Sequence, residues 1–125
     1  MQLDHFSVRT PDLDAMKDFF VDVVELEAGD RPPFKFPGYW LYDTAGGPAI
    51  VHLIGRGEPL ANDDTGAFDH MAFKGDGARY GAVLAKLDAM AADYRTQTVP
   101  RAGLRQVFVT GPNGIVVELN FPPAD

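Results

Sequence analysis

The sequence contains no cysteine. Disulfides, thiolate nucleophiles and cysteine-ligated zinc are excluded at once. Positive charge is scarce: 11 Lys and Arg stand against 18 Asp and Glu, a net charge of -7. An acidic surface argues against nucleic acid or anionic membrane as a partner. No apolar run approaches the roughly 20 residues needed to span a bilayer. A strand predicted from Leu3 leaves no room for a signal peptide, so the expectation is a soluble, cytoplasmic protein. Histidine is also rare, with three in the chain. What is present is enough for one domain over residues 1–125: at 46% hydrophobic the chain can bury a core and disorder is not expected.

In chain order, Leu3 to Val8 (LDHFSV) alternates as a strand, with His5 sharing a face with Ser7 and Arg9. Thr10-Pro11-Asp12 is a helix start, with Thr10 as N-cap. The helix is predicted to run to about Val24, burying Leu13, Met16, Phe19, Phe20, Val23 and Val24. A short strand over Leu26 to Asp30 precedes a loop, Arg31 to Gly38, broken by three prolines and carrying Phe34 and Phe36. Tyr39 to Tyr42 and Ala49 to Ile54 are strands, the second with His52 at its centre. Residues 57–66 read as a polar linker. The pattern then restarts: a strand over Phe68 to Phe73 with His70, a helix over Ala78 to Ala91, and strands over Tyr94 to Val99 and Leu104 to Thr110.

The last strand, Ile115 to Phe121, is apolar except for Glu118 and Asn120, and follows the turn Gly111-Pro112-Asn113-Gly114. A carboxylate in so apolar a strand is costly if buried unpaired, so Glu118 faces solvent or sits beside cations. The two halves repeat. Asp4-His5-Phe6-Ser7-Val8 resembles Asp69-His70-Met71-Ala72-Phe73, and Ile50-Val51-His52-Leu53 resembles Val116-Val117-Glu118-Leu119. Positions 5 and 70 are 65 apart, and positions 52 and 118 are 66 apart. Nearly equal offsets at two places imply a duplicated βαβββ unit, module 1 over about 1–56 and module 2 over about 67–125. A pseudo-two-fold could bring His5, His52, His70 and Glu118 to one place.

Imidazole nitrogen and carboxylate oxygen are ligands for Fe(II), Zn, Mn, Ni or Co, and two His with one carboxylate leave metal positions open for substrate or O₂. A third His is then a fourth ligand or an acid/base near neutral pH. Singly, a strand His is more often core or surface than ligand. All three histidines and one Glu at repeat-equivalent positions outweigh that. Arg9 shares the His5 face and could hold an anionic substrate group. Phe34, Phe36, Trp40, Tyr42 and Phe108 could line an aromatic substrate pocket, or serve as core.

The motifs DHFSVRTPDLDAMKDFF, AIVHLIG, FDHMAF and GPNGIVVELNF resemble the vicinal oxygen chelate superfamily of glyoxalase I, fosfomycin and bleomycin resistance proteins and extradiol dioxygenases. They span nearly the whole chain. The resemblance implies an α+β fold of two tandem βαβββ modules, a curved mixed sheet around a metal site with helices outside. It implies His5, His70 and Glu118 as metal ligands, His52 as catalytic residue or fourth ligand, and one divalent metal ion, Fe(II) favoured over Zn, Ni or Mn. It implies a homodimer acting on a small molecule with vicinal oxygens. His52 makes the set resemble ring-cleaving dioxygenases. A single module pair, and Phe108 where those enzymes commonly have tyrosine, are departures. A glyoxalase-like isomerase or lyase is the alternative, and a non-catalytic binder of a small aromatic ligand is a third.

Overall fold

The computed structural model describes residues 1–58 and 64–125. Part of the expected linker, residues 59–63, lies outside the described residues. The chain divides into two compact units, residues 1–61 and 62–125.

In the first unit, β1 (Phe6–Thr10), α1 (Leu13–Val23), β2 (Glu27–Gly29), β3 (Gly38–Tyr42) and β4 (Val51–Gly55) follow in order. The sheet order is β1-β4-β3-β2, with β1 parallel to β4 and the other pairs antiparallel. The second unit repeats this with β5 (Met71–Lys74), α2 (Tyr80–Ala89), β6 (Asp93–Thr98), β7 (Arg105–Thr110) and β8 (Val116–Phe121). Its order is β5-β8-β7-β6, again with only the first pair parallel. Each unit is thus a βαβββ module with its own mixed four-stranded sheet, and the fold is α+β. Among the described residues no helix is long and apolar enough to cross a membrane.

Local chemistry sets the boundaries. The N-cap of α1 is Asp12, whose carboxylate accepts from the Ala15 amide at 3.1 Å, and not Thr10. Thr10 is fully buried and its hydroxyl bonds the Asp12 backbone, so it shapes the entry to the helix from within the core. Glu25, at φ 65°, and a bond from the Leu26 amide to the Phe20 carbonyl close the other end. β1 begins at Phe6 and not at Leu3, which is 77% exposed and has no core to alternate against. β5 begins at Met71, later than expected. His5 and His70 therefore sit just before their strands. Met90, inside the helix predicted over Ala78 to Ala91, lies past the end of the observed helix and is exposed.

Strand alternation divides each sheet into two faces. In module 1 the buried set is Leu41, Val51 and Leu53, with Met16, Phe20 and Val23 from α1, which packs on β4. In module 2 it is Met71, Val107, Val109, Val117, Leu119 and Phe121, with Val83 and Leu87 from α2. Each such side chain contributes about 1.5–3 kcal/mol through burial. Asn113 and Gly114, at φ 59° and 73°, supply the left-handed pair that reverses the chain into β8. That turn fixes which residues of β8 oppose β7, and so which face Glu118 occupies.

Candidate functional site

In module 2 the register places Ala72, Glu118, Phe108 and Arg95 in one row across β5, β8, β7 and β6. The row lies on the face opposite the apolar core. Glu118 is 8% exposed, so it does not face solvent. It sits beside His70: His70 Nε2 is 3.4 Å from Glu118 Oε1. The other histidine nitrogen, Nδ1, is 2.6 Å from Asp69 Oδ2. The other carboxylate oxygen, Oε2, accepts from Asn120 Nδ2 at 2.6 Å. Behind Asn120 runs a chain of amides. Gln106 Nε2 donates to Asn120 Oδ1 at 3.0 Å, and Gln97 Nε2 donates to Gln106 Oε1 at 2.7 Å. Three amides from three strands thus align head to tail and end on the carboxylate, each bond polarising the next.

The aromatic ring of Phe108 meets His70 edge-on, with centroids 5.9 Å apart. Arg95 lies over the same ring, its guanidinium carbon 4.1 Å from the centroid. These groups line an open groove of about 620 Å³, with His70 and Glu118 on its wall.

Module 1 has the equivalent row: Ser7, His52, Trp40 and Gly29. Here the polar residue is sandwiched. His52 stacks on Trp40 at 4.1 Å and on His5 at 3.8 Å. His5 Nδ1 is 2.5 Å from Asp4 Oδ2, repeating the Asp69–His70 pair. Burial lowers the His52 pKa, and the neighbouring His5 adds to the effect. Phe34 stands 6.4 Å from Trp40 and stacks on Phe36. Arg9 is exposed near the end of β1, opposite Ile54. Tyr42 is drawn elsewhere: its hydroxyl donates to the Asp30 carbonyl and its ring covers Gly29, tying β2 to β3.

The expected residues therefore group by module, His70 with Glu118 and Phe108, and His5 with His52 and Trp40. Within either module, among the described residues, no three His, Asp or Glu side chains are placed to hold an ion. The donor pair of module 2 nevertheless has the chemistry of a divalent site. Two donors about 2.1 Å from one ion, at tetrahedral or octahedral angles, stand roughly 3.0–3.4 Å apart. The His70–Glu118 separation falls there, where a direct hydrogen bond would be shorter. Asp69 on the far ring nitrogen and Asn120 on the far oxygen are the outer contacts that orient such ligands. An ion held there would act as a Lewis acid on a bound oxygen.

Asn120, Gln106, Gln97 and Arg95 were not singled out from the sequence. The signal was available for one of them, since Asn120 is two residues beyond Glu118 and shares its strand face. The others lie on separate strands whose register only the fold defines.

Several solved structures share this fold. The fosfomycin resistance protein FosX from Listeria monocytogenes, in a variant complexed with Mn(II) and 1S,2S-dihydroxypropylphosphonic acid, matches with TM-score 0.77 and 12% identity, covering 97% of this chain and 92% of that one. FosX from Mesorhizobium loti matches with TM-score 0.69 and 21% identity, over 96% and 91%. A structure described as of the glyoxalase family from Bacillus anthracis matches with TM-score 0.73 and 17% identity, over 98% and 95%. No curated protein sequence matches the chain. The family model described as Glyoxalase/Bleomycin resistance protein/Dioxygenase superfamily matches residues 2–119. The chain belongs to the glyoxalase/bleomycin resistance protein/dioxygenase superfamily.

Proposed function

We propose that the chain is a divalent-metal enzyme acting on a small molecule that offers two neighbouring oxygens. The observation that carries this is the His70–Glu118 pair, spaced 3.4 Å apart, each donor oriented from behind by a second polar group. His70 and Glu118 are two of the metal's ligands, and the family resemblance implies His5 as the third. Glu118, buried and bonded by Asn120, keeps one oxygen directed at His70.

His52 has a different role in this reading. A ligand nitrogen binds an ion in the plane of its ring. The His5 and His52 rings are stacked 3.8 Å apart and within 17° of parallel. An ion in the plane of His5 would lie about one ring spacing from the plane of His52, too far to bind both. In this reading His52 is the proton-transfer group, its pKa lowered from the ordinary imidazole value chiefly by burial. That division of labour favours the Fe(II), ring-cleaving form of the proposal. Zn, Ni or Mn with a proton shuttled between carbons is the isomerase or lyase form, and the Mn(II) complex of FosX supports a divalent ion in either.

The test is elemental analysis of protein purified without oxygen, beside His70→Ala and Glu118→Gln. The expected result is near-stoichiometric metal in the parent and a loss of about 10-fold or more in affinity in each variant. Oxygen uptake with a catechol then separates the two chemistries. A parent that takes up no ion from Fe(II), Mn(II), Zn or Ni would refute the proposal.

A further inference from the structure

Three arginines lie over aromatic rings among the described residues. Arg105 covers Tyr80 at 4.3 Å, and its nitrogens donate to the carbonyls of Pro122 and Gly77. Arg31 lies over Phe34 and Phe36 and donates to the Phe36 carbonyl. In both, the guanidinium edge is committed to the protein's own backbone. Arg95 is held closest of the three, 4.1 Å above Phe108, and its guanidinium makes no hydrogen bond or ion pair with the described residues. The ring covers one face of the guanidinium. Arg95 is exposed, so the five N–H donors around the edge are open to solvent and unbonded by the described residues.

Those donors belong to the groove. Arg95 is the one Lys or Arg among the groove-lining residues. Of the three carboxylates there, Asp69 is held by His70 and Glu118 by Asn120 and His70, while Asp93 lies two residues from Arg95 along β6. Register puts Arg95 two strands from Glu118, with Phe108 between them. Strands are about 4.8 Å apart, so a small molecule lying on Phe108 could reach both ends.

We infer that Arg95 is an anion-recognition residue, and that the groove takes a small molecule carrying a carboxylate, phosphonate or phosphate at the end away from the His70–Glu118 pair. Phe108 serves as the platform, presenting the guanidinium and supporting the body of the ligand. This deepens the metal-enzyme reading by naming a substrate class, and it rests on that reading for the reacting end only.

The anion end is tested without metal. Chelator-treated protein is titrated with phenylphosphonate and with its uncharged dimethyl ester by calorimetry. Arg95→Met keeps bulk over Phe108 and removes the charge, while Arg95→Lys keeps the charge and loses the planar fork. The parent is expected to bind phenylphosphonate about 10- to 100-fold more tightly than Arg95→Met, with Arg95→Lys between them. The ester should bind all three alike and weakly. Circular dichroism and thermal melts confirm that the variants are folded. Equal binding of the anion by parent and Arg95→Met, binding of ester as strong as of anion, or no anion binding by the parent would each overturn the inference. Glu118→Gln separates this outcome from the metal reading. It removes a negative charge and a proposed ligand, so it should leave anion binding intact or stronger while metal is lost.

Discussion

Asn120→Leu gives the most direct reading of the amide chain. Leucine has as many side-chain heavy atoms as asparagine in a similarly branched but larger shape, so no cavity opens. What disappears is the 2.6 Å donor to Glu118 Oε2 and the acceptor for Gln106. A hydrogen bond to a charged group contributes about 1.5–3 kcal/mol, and a buried charged oxygen left without a donor is at the upper end of that range. Gln106 is half-buried and loses less, because water can replace its partner. The expected destabilisation is about 2–3 kcal/mol. At roughly 3–6 °C per kcal/mol for a chain of this size, Tm falls by about 6–18 °C. The assay is urea unfolding followed by circular dichroism in the presence of chelator, so that bound metal adds nothing to the difference. A double-mutant cycle with Glu118→Gln isolates the interaction and should return a coupling of about 1–2 kcal/mol, since the amide also accepts a bond but carries no charge. If Asn120→Leu stayed within about 0.5 kcal/mol of the parent, or the cycle closed to zero, the amide chain would not be holding the carboxylate.

Two further outcomes follow from the same geometry. Leu87 is fully buried, so Leu87→Ala should destabilise by about 2–5 kcal/mol in urea unfolding, and a value near zero would mean that α2 does not pack as described. Tyr94 donates to Asp88 at 2.5 Å, and that bond raises the phenol pKa above its ordinary value. The bond is intact below the ordinary tyrosine pKa and is lost as pH rises through the raised one. Asp88→Asn should therefore bring one tyrosine to ionise at lower pH in an ultraviolet titration, and an unchanged curve would refute the pairing.

Much of this organisation was legible in the residues alone. The period-2 and period-3.6 patterns marked both helices and most strands, because alternating burial is imposed on each element locally. The repeat was visible since each module carries a polar residue at the same strand position, His52 in one and Glu118 in the other. Ends were less visible. Asp12 displaced Thr10 as the cap because Thr10 was needed in the core, a choice made by packing.

What the tertiary structure decided is how those residues combine. Composition cannot say that Glu118 accepts from Asn120, or that an amide chain from β6 and β7 ends on it, because those contacts depend on strand register. The family resemblance offered His5 as a metal ligand and His52 as a catalytic residue or fourth ligand. The fold stacks the two rings within 17° of parallel, so their in-plane lone pairs do not converge on one point. Arg95 carried no signal at all until β6 was laid beside β7, two strands from Glu118 and directly over Phe108. Residue type sets which bonds a side chain can make, and sequence by itself determines that. Which of them it does make is set by distance, and distance between strands exists only in the folded chain.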